Sequence, residues 1–204
     1  MCELERPLCI NSIVEKYFEE AVQLLLKGYA GDQEGIAAAK GQTADEAKRH
    51  LDMKGCLSKF RVLHWVNKTT QSELIKTVLE FLDRCPDTPV NEACFIDFVE
   101  TLTLDCKKVT GKKNLSLSSK ALWCRYPSQV LIYDKNARLS LTVLCRLADT
   151  PVRRQGRAYA DFVEGWNALY EPVAPMIAER LNDCGYPYAI RVFDKILWIL
   201  GQDA

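Results

Sequence analysis

Lys120 and Asp134 are the two residues of this chain whose types and spacing could do chemistry together. A lysine amine is a nucleophile once it has lost its proton, and a carboxylate stabilises positive charge that develops on a carbon within its reach. Lys120 lies inside, and Asp134 directly follows, a window from Cys106 to Tyr133 that holds six basic residues and no acidic one. A lysine, an aspartate and a local positive field are the components of a nucleic-acid site.

The formal net charge of zero conceals this field, because the sign changes along the chain. Residues 1–105 carry twelve Lys/Arg against eighteen Asp/Glu (net −6), residues 106–157 twelve against two (+10), and residues 158–204 three against seven (−4). The basic run is interrupted by Trp123, Tyr126 and Tyr133, the residue types that stack on bases. A charge run is also what a solvated helix face looks like, so the field alone admits an anionic partner without naming it.

The rest of the composition is that of an ordinary globular protein, with 48% apolar and 26% charged residues over 204 positions, enough for one buried core. No apolar run approaches the roughly 20 residues of a membrane span, and Met1-Cys2-Glu3-Leu4-Glu5-Arg6-Pro7 lacks a signal-peptide pattern, so a cytoplasmic, reducing setting is expected. Nine cysteines at 2, 9, 56, 85, 94, 106, 124, 145 and 184 include no CxxC pair. With only His50 and His64 beside them, neither a metal nor a cofactor is expected, and the thiols read as reduced core residues.

Helices must position the candidate pair, for helical signals recur and strand signals are scarce. Ser12-Ile13-Val14-Glu15 reads as a capping box that opens a helix from about 12 to 27, stopped at Gly28, and the glycine-rich stretch 31–42 reads as a loop or hairpin. Thr43 to Glu46 and Thr70 to Glu73 read as further boxes, with a short helix around 57–65 between them. Pro86 and Pro89 end the helix that follows Thr70, and another spans 90–104. A loop at Thr110-Gly111-Lys112-Lys113-Asn114 leads to a helix at 117–125, an extended apolar link Val130–Tyr133, and helices at 134–147, 158–170, 173–184 and 188–200. The expected fold is all-α, a single domain over 1–204, with 1–105 as a possible N-terminal lobe and 106–204 carrying the candidate site.

The segment Leu115-Ser116-Leu117-Ser118-Ser119-Lys120-Ala121 resembles the hairpin of the helix-hairpin-helix DNA glycosylases, in particular the 8-oxoguanine-glycosylase-like branch with its serine-rich hairpin. Arg191-Val192-Phe193-Asp194-Lys195-Ile196-Leu197-Trp198 is similar to the closing signature of small members of that branch. The resemblance covers about 35 residues in the middle and a dozen at the end. It implies a glycosylase-like helical bundle, with Lys120 as Schiff-base nucleophile and Asp134 as the assisting carboxylate. It also implies a DNA substrate carrying a lesion or an abasic site. Ser116 and Ser118, standing where the usual hairpin has glycines, would then lie at the DNA backbone with Lys107, Lys108, Lys112, Lys113, Arg125 and Arg138. Trp123 and Tyr126 would grip an extruded base.

Each of these residues also has a plainer reading. Asp134 suits the N-cap of the helix that follows, Lys120 an exposed helix lysine, Trp123 a core position, and Arg191 with Asp194 an ion pair on one helix face. Three functions therefore compete. They are a glycosylase or abasic-site lyase, a non-catalytic nucleic-acid-binding or protein-binding module of the same fold, and a subunit whose basic face docks on an acidic protein.

Overall fold

The computed structural model describes residues 10–87, 91–148 and 158–202. Among these residues all regular structure is helical and there is no strand, which gives the all-α class expected from the sequence. The helices are α1 (Ile10–Ala39), α2 (Glu46–Lys59), α3 (Lys68–Arg84), α4 (Glu92–Thr110) and α5 (Leu115–Arg125), followed by α6 (Lys135–Leu147), α7 (Ala158–Tyr170), α8 (Ala174–Leu181) and α9 (Ala189–Leu200). None of them is long and apolar enough to cross a membrane. The chain divides into two compact units, residues 28–132 and residues 1–27 with 133–204, so it is cut at other points than 105/106.

In the 28–132 unit, the first correction to the sequence reading concerns α1, which runs on through the stretch 31–42 as far as Ala39. Its glycines are places of close approach. A Cβ on Gly35 would stand 2.4 Å from Cys56 Sγ and 2.8 Å from Cys56 Cβ, so only glycine lets α2 come this near. Ile36, Ala38 and Ala39 are buried beside it, and tertiary burial outweighs the weak helix propensity of glycine. Ahead of the first box, the helix is already running at Ile10, so Ser12 lies inside it.

The remaining starts follow asparagine and aspartate in place of the expected threonines. Asp45 caps α2 by accepting from Lys48 N at 2.7 Å, and Asn67 caps α3 by accepting from Thr70 N at 2.8 Å. Asn91 caps α4 and Asn114 caps α5 in the same way. The separate helix expected around 57–65 is absent: α2 itself extends to Lys59, and the chain turns at Arg61 with φ 55°.

Two arginines bind this unit together at the end of α1, where the last carbonyls of a helix have no partner within it. Arg49 Nε donates to Ala38 O at 2.8 Å while its fork pairs with Asp83 at the end of α3. Arg125 Nη1 donates to Ala39 O at 3.3 Å, and Nη2 reaches Cys85 O at 3.1 Å and Asp87 at 2.5 Å. The other charged partner gains as well: the Arg49 guanidinium holds the Asp83 carboxyl below its usual range.

The unit of residues 1–27 and 133–204 is built on α6 and α9. Gly201, which caps α9, lies so close to α6 that a Cβ there would stand 2.2 Å from Asn136 O and 2.6 Å from Asn136 C. Around this contact Phe193 of α9 meets Trp166 and Tyr170 of α7, with ring centroids 5.1 and 5.5 Å apart. Phe18 of α1 is covered by the Arg180 guanidinium, 4.1 Å from the ring centroid, and Arg180 also pairs with Glu19 at 2.7 Å.

Two outcomes follow for stability. Gly201→Ala and Gly35→Ala should each lower the denaturant midpoint by the equivalent of roughly 1–3 kcal/mol from overpacking, more than the ~1 kcal/mol that alanine contributes inside a helix at position 35. At Gly201 the obstacle is backbone, which cannot swing aside, so the larger loss is expected there. For acid unfolding, Asp83 adds stability that is complete above its unfolded pKa of about 3.9 and disappears as pH falls through the lower folded value. Asp83→Asn should remove that part of the acid limb and lower neutral-pH stability by the same small amount, since the carboxylate is half exposed and well screened.

Candidate nucleic-acid interface

Helix α4 turns into α5 over four residues. The apolar face of α4, with Phe95, Val99, Leu102 and Cys106 buried, leaves Lys107 and Lys108 of its last turn in solvent. Gly111 then takes the left-handed conformation, φ 74°, that ends the helix, and its N–H donates to Lys107 O at 2.8 Å. Thr110 Oγ1 donates to Cys106 O at 2.8 Å and accepts from Lys112 N at 3.4 Å, which steadies the turn. Lys112 and Lys113 are exposed on it, and Asn114 Oδ1 accepts from Leu117 N at 3.0 Å to start α5.

Four lysines thus stand exposed within seven residues around this turn. Lys108 pairs with Asp105 at 2.6 Å, while Lys107, Lys112 and Lys113 have no ion pair among the described residues. Cys106 beneath them is buried, and burial pushes its thiol up to about 12. Arg153, Arg154 and Arg157, the end of the basic run, lie outside the described residues.

The other predicted contacts of this unit are interior, apart from the half-buried Ser116. The turn falls at Gly111–Asn114, ahead of the serines, and Ser116 and Ser118 belong to the first turns of α5. Ser118 is fully buried and its hydroxyl donates to Asn114 O at 3.3 Å. From Leu117 onward helix α5 is enclosed, with all nine residues Leu117–Arg125 buried, while Leu115 and Ser116 are half-buried. Lys120 is 4% exposed; its Nζ lies 3.0 Å from Ser116 Oγ and 5.4 Å from the ring centroid of Phe60.

Arg125, expected at the surface, is the buried guanidinium that caps α1. Trp123 is fully buried edge-on to Phe60, with centroids 6.2 Å apart. Tyr126 donates to Pro86 O at 2.6 Å with its ring against Phe95, and burial raises its phenol. Neither ring presents a face on which a base could stack. A partner for the four lysines therefore meets cations without an aromatic platform at this turn.

In the other unit, Asp134 caps α6, its Oδ1 accepting from Asn136 N at 3.0 Å. Arg191 and Asp194 form a buried ion pair on α9, as their spacing suggests. Arg138 is exposed on the rim of a groove of about 500 Å³ between α6 and α7, whose lining includes Tyr133, Leu141, Cys145, Arg146 and Phe162. Arg146 on that rim was not singled out from sequence. Its signal is the spacing Arg138–Thr142–Arg146, which recurs every fourth residue on one face of the helix. His50 lies 3.2 Å from Ser72 O and His64 bonds to Arg61 O. Among the described residues no cluster of three metal-ligating side chains occurs.

Comparison with family models, with curated proteins and with solved structures finds no significant match.

The burial of Arg125 separates structure from recognition experimentally. Arg125→Met should leave Ala39 O and Cys85 O without their donor and lower stability on the order of 3 kcal/mol. Any nucleic-acid affinity, measured well below the new unfolding midpoint, should keep the wild-type salt dependence. A reduced salt slope with stability intact would put Arg125 back at the interface.

Proposed function

We propose that this protein binds nucleic acid through the lysines of the α4–α5 turn, as a helical module in which the glycosylase-like segment serves the core. The observation that carries the reading is the cluster of Lys107, Lys108, Lys112 and Lys113, exposed within seven residues of one another. Each lysine set against a phosphate releases condensed counterions, so such a turn contributes affinity that depends on salt and little on sequence. The turn offers no stacking ring and no buried donor for a base edge, which agrees with backbone contact.

A second reading, a lysine-dependent glycosylase or lyase, has one observation in its favour. The Lys120 amine is withdrawn from solvent against Phe60 and the Ser116 hydroxyl, and enclosure of this kind is what activates lysine nucleophiles. The same enclosure requires α5 to be uncovered before a sugar carbon could reach the amine.

Fluorescence anisotropy with duplex and single-stranded DNA, over a range of salt, tests the first reading. The double substitution Lys112→Ala, Lys113→Ala should weaken binding to every sequence alike and reduce the slope of log affinity against log salt by about 1.5–2. Wild-type affinity and slope in the variant would overturn the reading, and so would retention of an acidic protein with no affinity for DNA. Borohydride treatment with abasic duplex addresses the second: a covalent adduct that is lost in Lys120→Met would establish lyase chemistry, and no adduct with wild type would exclude it.

A further inference from the structure

Two cysteines face each other inside the 28–132 unit. Cys56 on α2 and Cys124 on α5 are 3% and 0% exposed, and their sulfurs lie 3.5 Å apart across 68 residues of sequence. Of the other buried or half-buried thiols, Cys85 donates to Phe81 O at 3.4 Å, Cys145 to Gly165 O at 3.7 Å and Cys184 to Arg180 O at 3.0 Å. The space in which the two sulfurs meet exists because position 35 is glycine, whose missing Cβ would stand 2.4 Å from Cys56 Sγ and 3.3 Å from Cys124 Sγ. Just past the end of α2, Phe60 meets Lys120 and Trp123 of α5, so the two segments also pack together next to the pair.

We propose that Cys56 and Cys124 form a dithiol that hydrogen peroxide closes to a disulfide, stapling α2 to α5. A disulfide needs its sulfurs about 2.05 Å apart, so closure asks for an approach of roughly 1.5 Å, within the range of side-chain rotation and small helix shifts. In the first step the thiolate of one cysteine attacks a peroxide oxygen. The O–O bond breaks, and a sulfenic acid and one water result. The second sulfur then attacks the sulfenic sulfur, the S–O bond breaks, and a second water leaves. Two thiols have lost two hydrogens in all, and one peroxide has been reduced to two waters. Burial slows the first step and also keeps larger oxidants away, so the pair responds to a small neutral oxidant. The site is independent of the nucleic-acid reading and stands or falls without it.

The test is to titrate the native full-length chain with hydrogen peroxide, block remaining thiols with N-ethylmaleimide and digest with trypsin. Cleavage after Lys54, Lys59, Lys120 and Arg125 releases Gly55–Lys59 and Ala121–Arg125 as short peptides, each with a single cysteine. The expected product is these two peptides joined, lighter than their sum by two hydrogens and separated again by dithiothreitol. The oxidised protein should unfold at a midpoint higher by roughly 5 °C or more, since a bridge over a long loop constrains the unfolded chain. The joined peptide should persist in Cys94→Ser with Cys184→Ser, which removes two half-buried thiols that could exchange, and be absent in Cys56→Ala and in Cys124→Ala. Recovery of both peptides blocked by maleimide, or singly oxidised to sulfinic acid, would overturn the proposal, as would a link that forms only in denaturant.

Discussion

The 28–132 unit depends on how the end of α1 is satisfied. A helix terminus inside a protein leaves carbonyls that water cannot reach, and each must find a donor or destabilise the fold. Here Ala38 O and Ala39 O are met by Arg49 from α2 and Arg125 from α5. A guanidinium is suited to the task because its planar fork serves several acceptors at once and stays protonated at every relevant pH. Arg49 turns its second edge to Asp83, and Arg125 turns its own to Cys85 O and Asp87, so the end of α3 is tied to the same point. One helix end thereby sets the positions of three others.

This arrangement divides the basic run by role. Of the six cations between Cys106 and Tyr133, Lys120 and Arg125 are enclosed, and four lysines remain exposed around the α4–α5 turn. Enclosed cations release no counterions to a nucleic acid, so formal charge overstates the field that a partner would meet. Cations left on a tight turn are concentrated by it. Gly111 matters here because its left-handed backbone ends α4 and turns the chain, so that Lys112 and Lys113 follow directly on the last turn that carries Lys107 and Lys108.

The other unit solves its burial problem differently. Helix α9 buries Val192, Phe193, Ile196, Leu197 and Ile199 together with the ion pair Arg191–Asp194. An interior ion pair adds little net stability, because desolvation offsets much of the attraction, but loss of one partner strands the other. The close contact of Gly201 with the Asn136 backbone brings α9 against the start of α6, next to the Asp134 cap. Asp134 is placed by the requirements of that helix start, whatever else its carboxylate does.

Periodicity and capping chemistry made the helical class, the three C-terminal helices and the cap role of Asp134 legible in the sequence, because these are local properties of neighbouring residues. The starts of α3 and α5 were displaced by two or three positions because Asn67 and Asn114 win the cap over serine and threonine nearby. Local reasoning failed at α1, where Gly28, Gly31 and Gly35 read as stops, since the partner that makes a small residue necessary, Cys56 at Gly35, is distant in sequence. It failed again at α5, whose serines, lysine and arginine read as a surface although every residue from Leu117 to Arg125 is buried. Sequence by itself determined which residues could be helical and which could carry charge. Only tertiary structure decided which charges face water, because burial is set by the helices that close over a segment, and no property of the segment alone records them.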